Sequence, residues 1–208
     1  MKNKSISIKI EYELRDLNSS STNEFILKLV ERDFLDDSDS IEKMLNTRQL
    51  YSDNYFNQIN PTLSNLKNYL LEGPINDPDH YLFTLQDLDM KIILCCGFKV
   101  SQSNTVEIDN VMRLSPQYPG LMYSALSAMI AWINANFRVS SIHLKVSSEN
   151  RPAINLYEKL GFGLSETSYL KKVYASNGEY RLVPCEDKDP SSDLKMHRMD
   201  LKTYTKLD

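Results

Sequence analysis

Residues 143–162 read HLKVSSENRPAINLYEKLGF, and this stretch decides the fold. Ile142 to Val146 has the pattern of a strand, and it runs into the polar turn Ser147-Ser148-Glu149-Asn150. Asn150 is the residue type that caps a helix by accepting a backbone N–H of the first turn. Pro152 falls inside that turn, where its missing donor costs nothing. Pro152 to Leu160 therefore reads as a short helix, stopped by Gly161. Helical spacing sets Asn150, Ala153, Ile154 and Tyr157 on neighbouring sides of it, with Tyr157 one turn beyond Ala153. A strand, a polar turn and a capped helix make one repeat unit of an α/β domain.

Working outward towards the N-terminus, Leu121 to Phe137 carries apolar residues around much of its circumference, as a buried helix does, and Thr105 to Leu114 reads as a strand. Before them, Tyr81 to Leu85 and Lys91 to Val100 form a hairpin turning at Gln86 to Asp89. Leu63, Leu66, Tyr69 and Leu70 line one side of a helix that Gly73 and Pro74 terminate. Asp33 to Pro61 is mostly polar, with an acidic cluster at Asp36, Asp37 and Asp39, and Asn46 to Asn60 shows no clean period. Ser5 to Leu14 alternates as a half-buried strand. The caps in Asn18 to Thr22 stand ahead of Phe25, Ile26, Leu29 and Val30, whose spacing predicts a first helix.

Towards the C-terminus, Tyr169 to Tyr174 and Tyr180 to Val183 flank Ser176-Asn177-Gly178, the turn signal of a second hairpin. The polar stretch Glu186 to Asp193 leads into a last strand, Leu194 to Leu201. There is no internal repeat and no linker, so residues 1–208 are read as one α/β domain.

A chain of 208 residues can bury one sizeable core, and 41% hydrophobic with 25% charged residues is a globular balance that argues against wholesale disorder. A formal charge of −4 offers no general attraction for nucleic-acid phosphates or an anionic membrane surface. No apolar run approaches the roughly 20 residues that span a bilayer, so a soluble, cytoplasmic protein is expected. Cys95, Cys96 and Cys185 have neither a disulfide framework nor zinc-ligand spacing; they read as reduced residues in or near the core, with no metal site.

Val146, Asn150, Ala153, Ile154, Tyr157 and Leu160-Gly161-Phe162 together resemble the Asn-x-x-Ala-x-x-x-Tyr-x-x-x-Gly-Phe signature of the GNAT N-acetyltransferase superfamily. The resemblance implies an α/β fold with a central mixed, mostly antiparallel sheet flanked by helices and splayed between its fourth and fifth strands. It also implies acetyl-CoA as cofactor, with Asn150 and Ala153 beside it and Tyr157 able to protonate the departing CoA thiolate. In that family a glycine-rich loop before the third helix holds the pyrophosphate on backbone N–H groups, as a helix start can. Here the corresponding stretch is PQYPGLMYS, residues 116–124. In one register Gln117 and Gly120 fill the signature and Met122 replaces its small residue; in the other Pro119, Met122 and Ser124 take the three positions. Every non-proline residue still offers its N–H. Gly120, Leu121, Met122, Tyr123 and Ser124, with Met112 and Leu114 on the strand leading to them, complete the expected cofactor-binding set.

The reaction implied is attack of an unprotonated amine on the acetyl thioester, through a tetrahedral intermediate whose oxyanion needs a donor. An alkyl ammonium is almost wholly protonated near neutral pH, so a base is required. Glu107 and Asp109, two apart on the fourth strand and so on one face, are candidates; His143 on the adjacent strand is the third. The acceptor implied is a small amine, with an amino-sugar nucleotide favoured by likeness to sugar-modifying members. A protein α-amine or lysine, or a non-catalytic binding module, are the alternatives. Many members of the family join strands across a homodimer.

Overall fold

The computed structural model describes residues 6–16, 19–51, 62–174, 180–185 and 194–202. Among these residues nine strands form one sheet in the order β1-β2-β3-β4-β5-β6-β9-β7-β8. They are β1 (Ser7–Asp16), β2 (Ser19–Leu29), β3 (His80–Gln86), β4 (Ile92–Val100), β5 (Thr105–Arg113), β6 (Ser141–Ser147), β7 (Phe162–Tyr174), β8 (Tyr180–Cys185) and β9 (Leu194–Leu201). Every neighbouring pair is antiparallel except β5 and β6. The helices are α1 (Ser38–Leu50), α2 (Leu63–Leu70), α3 (Leu121–Asn136) and α4 (Arg151–Lys159). No helix of the described residues is long and apolar enough to cross a membrane.

The expected mixed, mostly antiparallel sheet is present, and its helices divide between the two faces. Under one face Leu121, Ala125, Leu126, Met129 and Ile133 of α3, with Ile154 and Tyr157 of α4, share a core with Phe83, Phe98, Ile108 and Leu144. Tyr81 stacks on Phe98 at 4.8 Å, and Trp132 and Phe137 of the α3 end close round them edge-on or tilted, so aromatic area fixes the helix to the sheet. On the other face Ile41 and Met44 of α1 and Leu66 and Leu70 of α2 pack on Leu82, Cys95 and Met112. Strand β4 is buried on both sides, which is why its adjacent cysteines are both in the core.

Two sequence expectations need correction, and one stretch without a clean period takes form. Phe25, Ile26, Leu29 and Val30 do not begin a helix: residues 19–29 are strand β2, paired along β1 and with β3. The apolar spacing there fits both periods, and burial of Phe25, Leu27 and Leu29 against an exposed Ile26 shows that the period of two prevails once neighbouring strands supply the ladder. The polar stretch after Asp33 forms a short 3-10 turn, Arg32–Asp36, and then α1, capped where Asp37 accepts from the Ser40 N–H at 3.1 Å. Gly73 and Pro74 do not stop α2; they lie within a π-helical turn, Leu71–Ile75, that extends it. The Ser176-Asn177-Gly178 turn and the stretch Glu186 to Asp193 lie outside the described residues, while the strands they join, β7, β8 and β9, pair as expected.

Candidate active site

The site is built around the one parallel junction. β5 and β6 pair only from Thr105 with Ser141 to Ile108 with Leu144, although β5 continues to Arg113 and β6 to Ser147. Past Ile108 the two strands no longer pair and the sheet forks; with β2 uncounted in the sequence reading, these are the fourth and fifth strands between which the splay is expected. A bulge in the β4–β5 ladder lies at the same level: the register slips between Cys95 and Gly97, and Asn110 adopts φ 51°. Such a bulge bends its strand and interrupts the ladder. Asn110 is held there from α2, donating to the Tyr69 hydroxyl at 2.7 Å, while the Cys95 thiol donates to the Asn110 carbonyl at 3.4 Å.

Asp109 is the first β5 residue beyond the last β5–β6 pair. Its Oδ2 lies 3.0 Å from Nε2 of His80, which is wholly buried at the start of β3. His80 Nε2 is also 3.5 Å from the Asn110 amide, and its ring meets Tyr69 edge-on. Asp109 Oδ1 is buried with no hydrogen-bond partner among the described residues. Burial and the neighbouring Asp109 charge push the Tyr69 hydroxyl up to about 12, so it stays a neutral phenol. The Arg48 guanidinium of α1 covers the Tyr69 ring at 5.6 Å. Gly97 permits this arrangement: a Cβ there would stand 2.8 Å from Asp109 Oδ1 and 2.6 Å from the Tyr81 carbonyl.

Glu107 and Asp109 share a face, as their spacing requires, but they are not equivalent. Glu107 accepts from Lys145 at 3.0 Å and lies 3.5 Å from His143 Nε2. The His143 bond first, and then the Lys145 bond and charge, hold the Glu107 carboxyl down at about 2 against the opposing effect of burial. Two of the three proposed bases are thus each other's partners. Sequence reasoning missed His80, Tyr69, Asn110 and Arg48. Only the antiparallel register, which pairs His80 with Lys99 and Gly97 with Asp109, reveals that His80 reaches across to that carboxylate.

The proposed cofactor residues divide. Asn150 caps α4, its Oδ1 accepting from the Ala153 N–H at 3.2 Å. Tyr157 is buried with its ring edge-on to Phe162 at 6.2 Å. Met112 and Leu121 point into the two cores, which leaves their backbone groups as the parts able to meet a ligand. Gly120 begins α3 at φ 88°, with no side-chain cap, no acidic residue in the following turn, and open space where a Cβ would be. The loop before it is braced by Arg113, which donates to the carbonyls of Ser115 at 3.0 Å and Pro116 at 2.7 Å. Met122, Tyr123 and Ser124 follow in the first turn; the Tyr123 N–H bonds the Gly120 carbonyl at 3.0 Å.

A forked strand edge, which can pair with an amide-bearing arm, beside a glycine-led helix start free of carboxylates fits a thioester cofactor with an anionic diphosphate. Residues 29–163 match the acetyltransferase (GNAT) domain family, and the chain belongs to it. The spermidine N(1)-acetyltransferase of Escherichia coli K12 is 32% identical over 100 residues, covering 43% of this chain and 52% of that enzyme, so the match spans about half the length of the curated relative. Among solved structures, the spermidine N-acetyltransferase of Vibrio cholerae in complex with CoA and spermine superposes with a TM-score of 0.61 at 19% identity, over 85% of this chain and 94% of that one. A dodecameric structure of the same Vibrio enzyme has a TM-score of 0.56 at 17% identity, over 85% and 92%. Strand β1 and all of β8 and β9 lie outside the family match.

Proposed function

We propose that this chain is an acetyl-CoA-dependent N-acetyltransferase acting on a primary amine of a small polycation, a polyamine. The observation that carries the reading is the β5–β6 fork with the Asp109 carboxylate at its closed end. Bound acetyl-CoA supplies the thioester carbonyl that the amine attacks. Its diphosphate would lie at the Gly120 to Ser124 backbone, and its amide arm along the β5 edge past Asp109.

The ammonium of the acceptor is drawn to Asp109, and its proton leaves there. Glu107, held near 2 by His143 and Lys145, has too little proton affinity for the task at neutral pH. Tyr157 gives its proton to the departing thiolate. The activity named for the Escherichia coli relative supports a polyamine over the amino-sugar nucleotide that the sequence favours, and the Asp109 carboxylate suits an ammonium better than a sugar diphosphate. The reading includes action as one domain in the cytoplasm and a homo-oligomeric assembly, the latter supported by the dodecameric relative.

Calorimetric titration with acetyl-CoA and a thiol-release assay with spermidine, spermine, an amino-sugar nucleotide and a lysine peptide test the reading. Saturable acetyl-CoA binding and turnover highest with the polyamines are expected. Tyr157→Phe should then lower kcat by about 10²-fold or more with acetyl-CoA affinity retained. Absence of binding at millimolar acetyl-CoA would leave a non-catalytic module, and preference for the peptide or the nucleotide would replace the acceptor.

A further inference from the structure

We infer that His80 and Asp109 act as one proton-accepting unit, in which Asp109 meets the acceptor's ammonium and the buried imidazole behind it takes the proton. The inference rests on the N-acetyltransferase reading of this site and adds to it a residue that no motif contains.

Geometry supports the pair. The Nε2–Oδ2 distance of 3.0 Å is within hydrogen-bond reach, and His80 is wholly buried whereas the Asp109 side chain is one-quarter exposed. Asp109 is therefore the solvent-accessible member of the pair and His80 the buried one. The ring has close neighbours: Tyr69 meets it edge-on, the Asn110 amide is 3.5 Å from Nε2, and Gly73 leaves room for it, since a Cβ there would be 3.0 Å from Nδ1. A carboxylate alone is a poor proton acceptor at neutral pH, and imidazole is the side chain whose ordinary affinity lies nearest to it. The neutral ring carries its hydrogen on Nδ1, so the lone pair of Nε2 faces Oδ2 and takes the proton that reaches Asp109; the coupled pair ends as imidazolium held by carboxylate.

The groups facing the pair are Tyr69 from α2, Arg48 beyond it from α1, Cys95 and Lys99 from β4, and Glu107 with its partners His143 and Lys145 one step along the sheet. Burial keeps Tyr69 and the Cys95 thiol neutral, each pushed to about 12, so neither competes for the proton. Proton balance is closed. The alkylammonium loses one proton to the pair before attack. Its nitrogen loses a second as the N–C bond replaces the C–S bond; the thiolate takes the Tyr157 proton, that second proton restores the phenol, and the pair returns the first to solvent, one per turnover.

His80→Gln and Asp109→Asn are compared with wild type for acetyl-CoA affinity and for kcat/KM with spermidine between about pH 6 and 9.5. Both should bind acetyl-CoA like wild type and lose about 10²-fold or more in kcat/KM near neutrality, a deficit that narrows towards high pH as the free amine appears unaided. The double variant should be no worse than the poorer single one. A His80→Gln rate within about threefold of wild type, or a loss constant with pH, would overturn the pair.

A second measurement does not depend on turnover. The chain has three histidines, so each ring resonance is identified by replacing one at a time. Asp109→Asn should move the His80 ring resonances and leave those of His143 and His197 in place, because it replaces the carboxylate 3.0 Å from Nε2. Unmoved His80 resonances would overturn the inference even if His80→Gln fails to fold. A wild-type enzyme that turns over no amine would instead sink the functional reading, with the ring resonances still deciding the pair.

Discussion

At the scale of the residue, two carboxylates two positions apart have been given different work by their neighbours. Glu107 is half-exposed, lies against His143 and Lys145, and sits well below its ordinary value near 4.5, at about 2. A carboxyl depressed in the folded state adds stability that is fully present above its unfolded value and is lost as pH falls towards the folded one. Glu107→Gln should therefore cost up to about 1 kcal/mol at neutral pH, small because the group is exposed to solvent screening, or ~2–4 °C in Tm. That difference from wild type should shrink as pH falls from 4.5 towards 2, followed by denaturant midpoints across this window. A gap constant with pH would show that shape, and not charge, accounts for it. Nothing in the sequence separates Glu107 from Asp109, since alternation reports the face a side chain takes and not the partners waiting there.

At the scale of the element, the bulge in β5 and the glycine opposite it shape the closed end of the fork. Gly97 pairs with Leu82 of β3 and Asp109 of β5, and a methyl group there would meet both the Tyr81 carbonyl and Asp109 Oδ1 at under 3 Å. Gly97→Ala should lower stability by about 1–3 kcal/mol, and turnover with it, because backbone on one side and the carboxylate on the other both have to shift. Gly163→Ala is the control: the three atoms nearest a Cβ there all belong to the Lys202 side chain, which can swing aside. Thermal unfolding and spermidine turnover of the two variants decide the matter; equal behaviour would remove the packing argument. Elements bounded by local signals were legible, as with α4 and its Asn150 cap or the β3–β4 hairpin. Strand β2 was not, because its apolar spacing satisfies both periods until β1 and β3 lie beside it. Helix α1 was hidden for another reason: Ser40, Ile41 and Met44 are its only buried residues, too thin an apolar stripe to stand out.

At the scale of the whole molecule, a net charge of −4 and a carboxylate at the fork favour a polycationic acceptor over a neutral one. Raising salt from about 0.02 to 0.5 M should reduce kcat/KM for spermidine several-fold, and reduce it less for a monoamine, because screening removes long-range attraction in proportion to acceptor charge. Steady-state rates at fixed pH give the comparison, and identical salt dependence would mean that the field of the protein plays no part in capture.

The sequence by itself determined what short-range chemistry decides. It specified the strand, Asn150 cap and short helix from Ile142 to Leu160, the buried helix before it, the hairpins and the cysteines of the core, each readable within a few residues because capping and periodicity act over that range. Only the tertiary structure decided which polar groups meet. Asn110 and Tyr69 are 41 residues apart in the chain, and Lys145 and Glu107 are 38 apart. The His80–Asp109 contact likewise depends on three strands falling into one register over a glycine. Register and bulge position follow from the packing of two cores against one sheet, a property of the folded chain that no local segment carries.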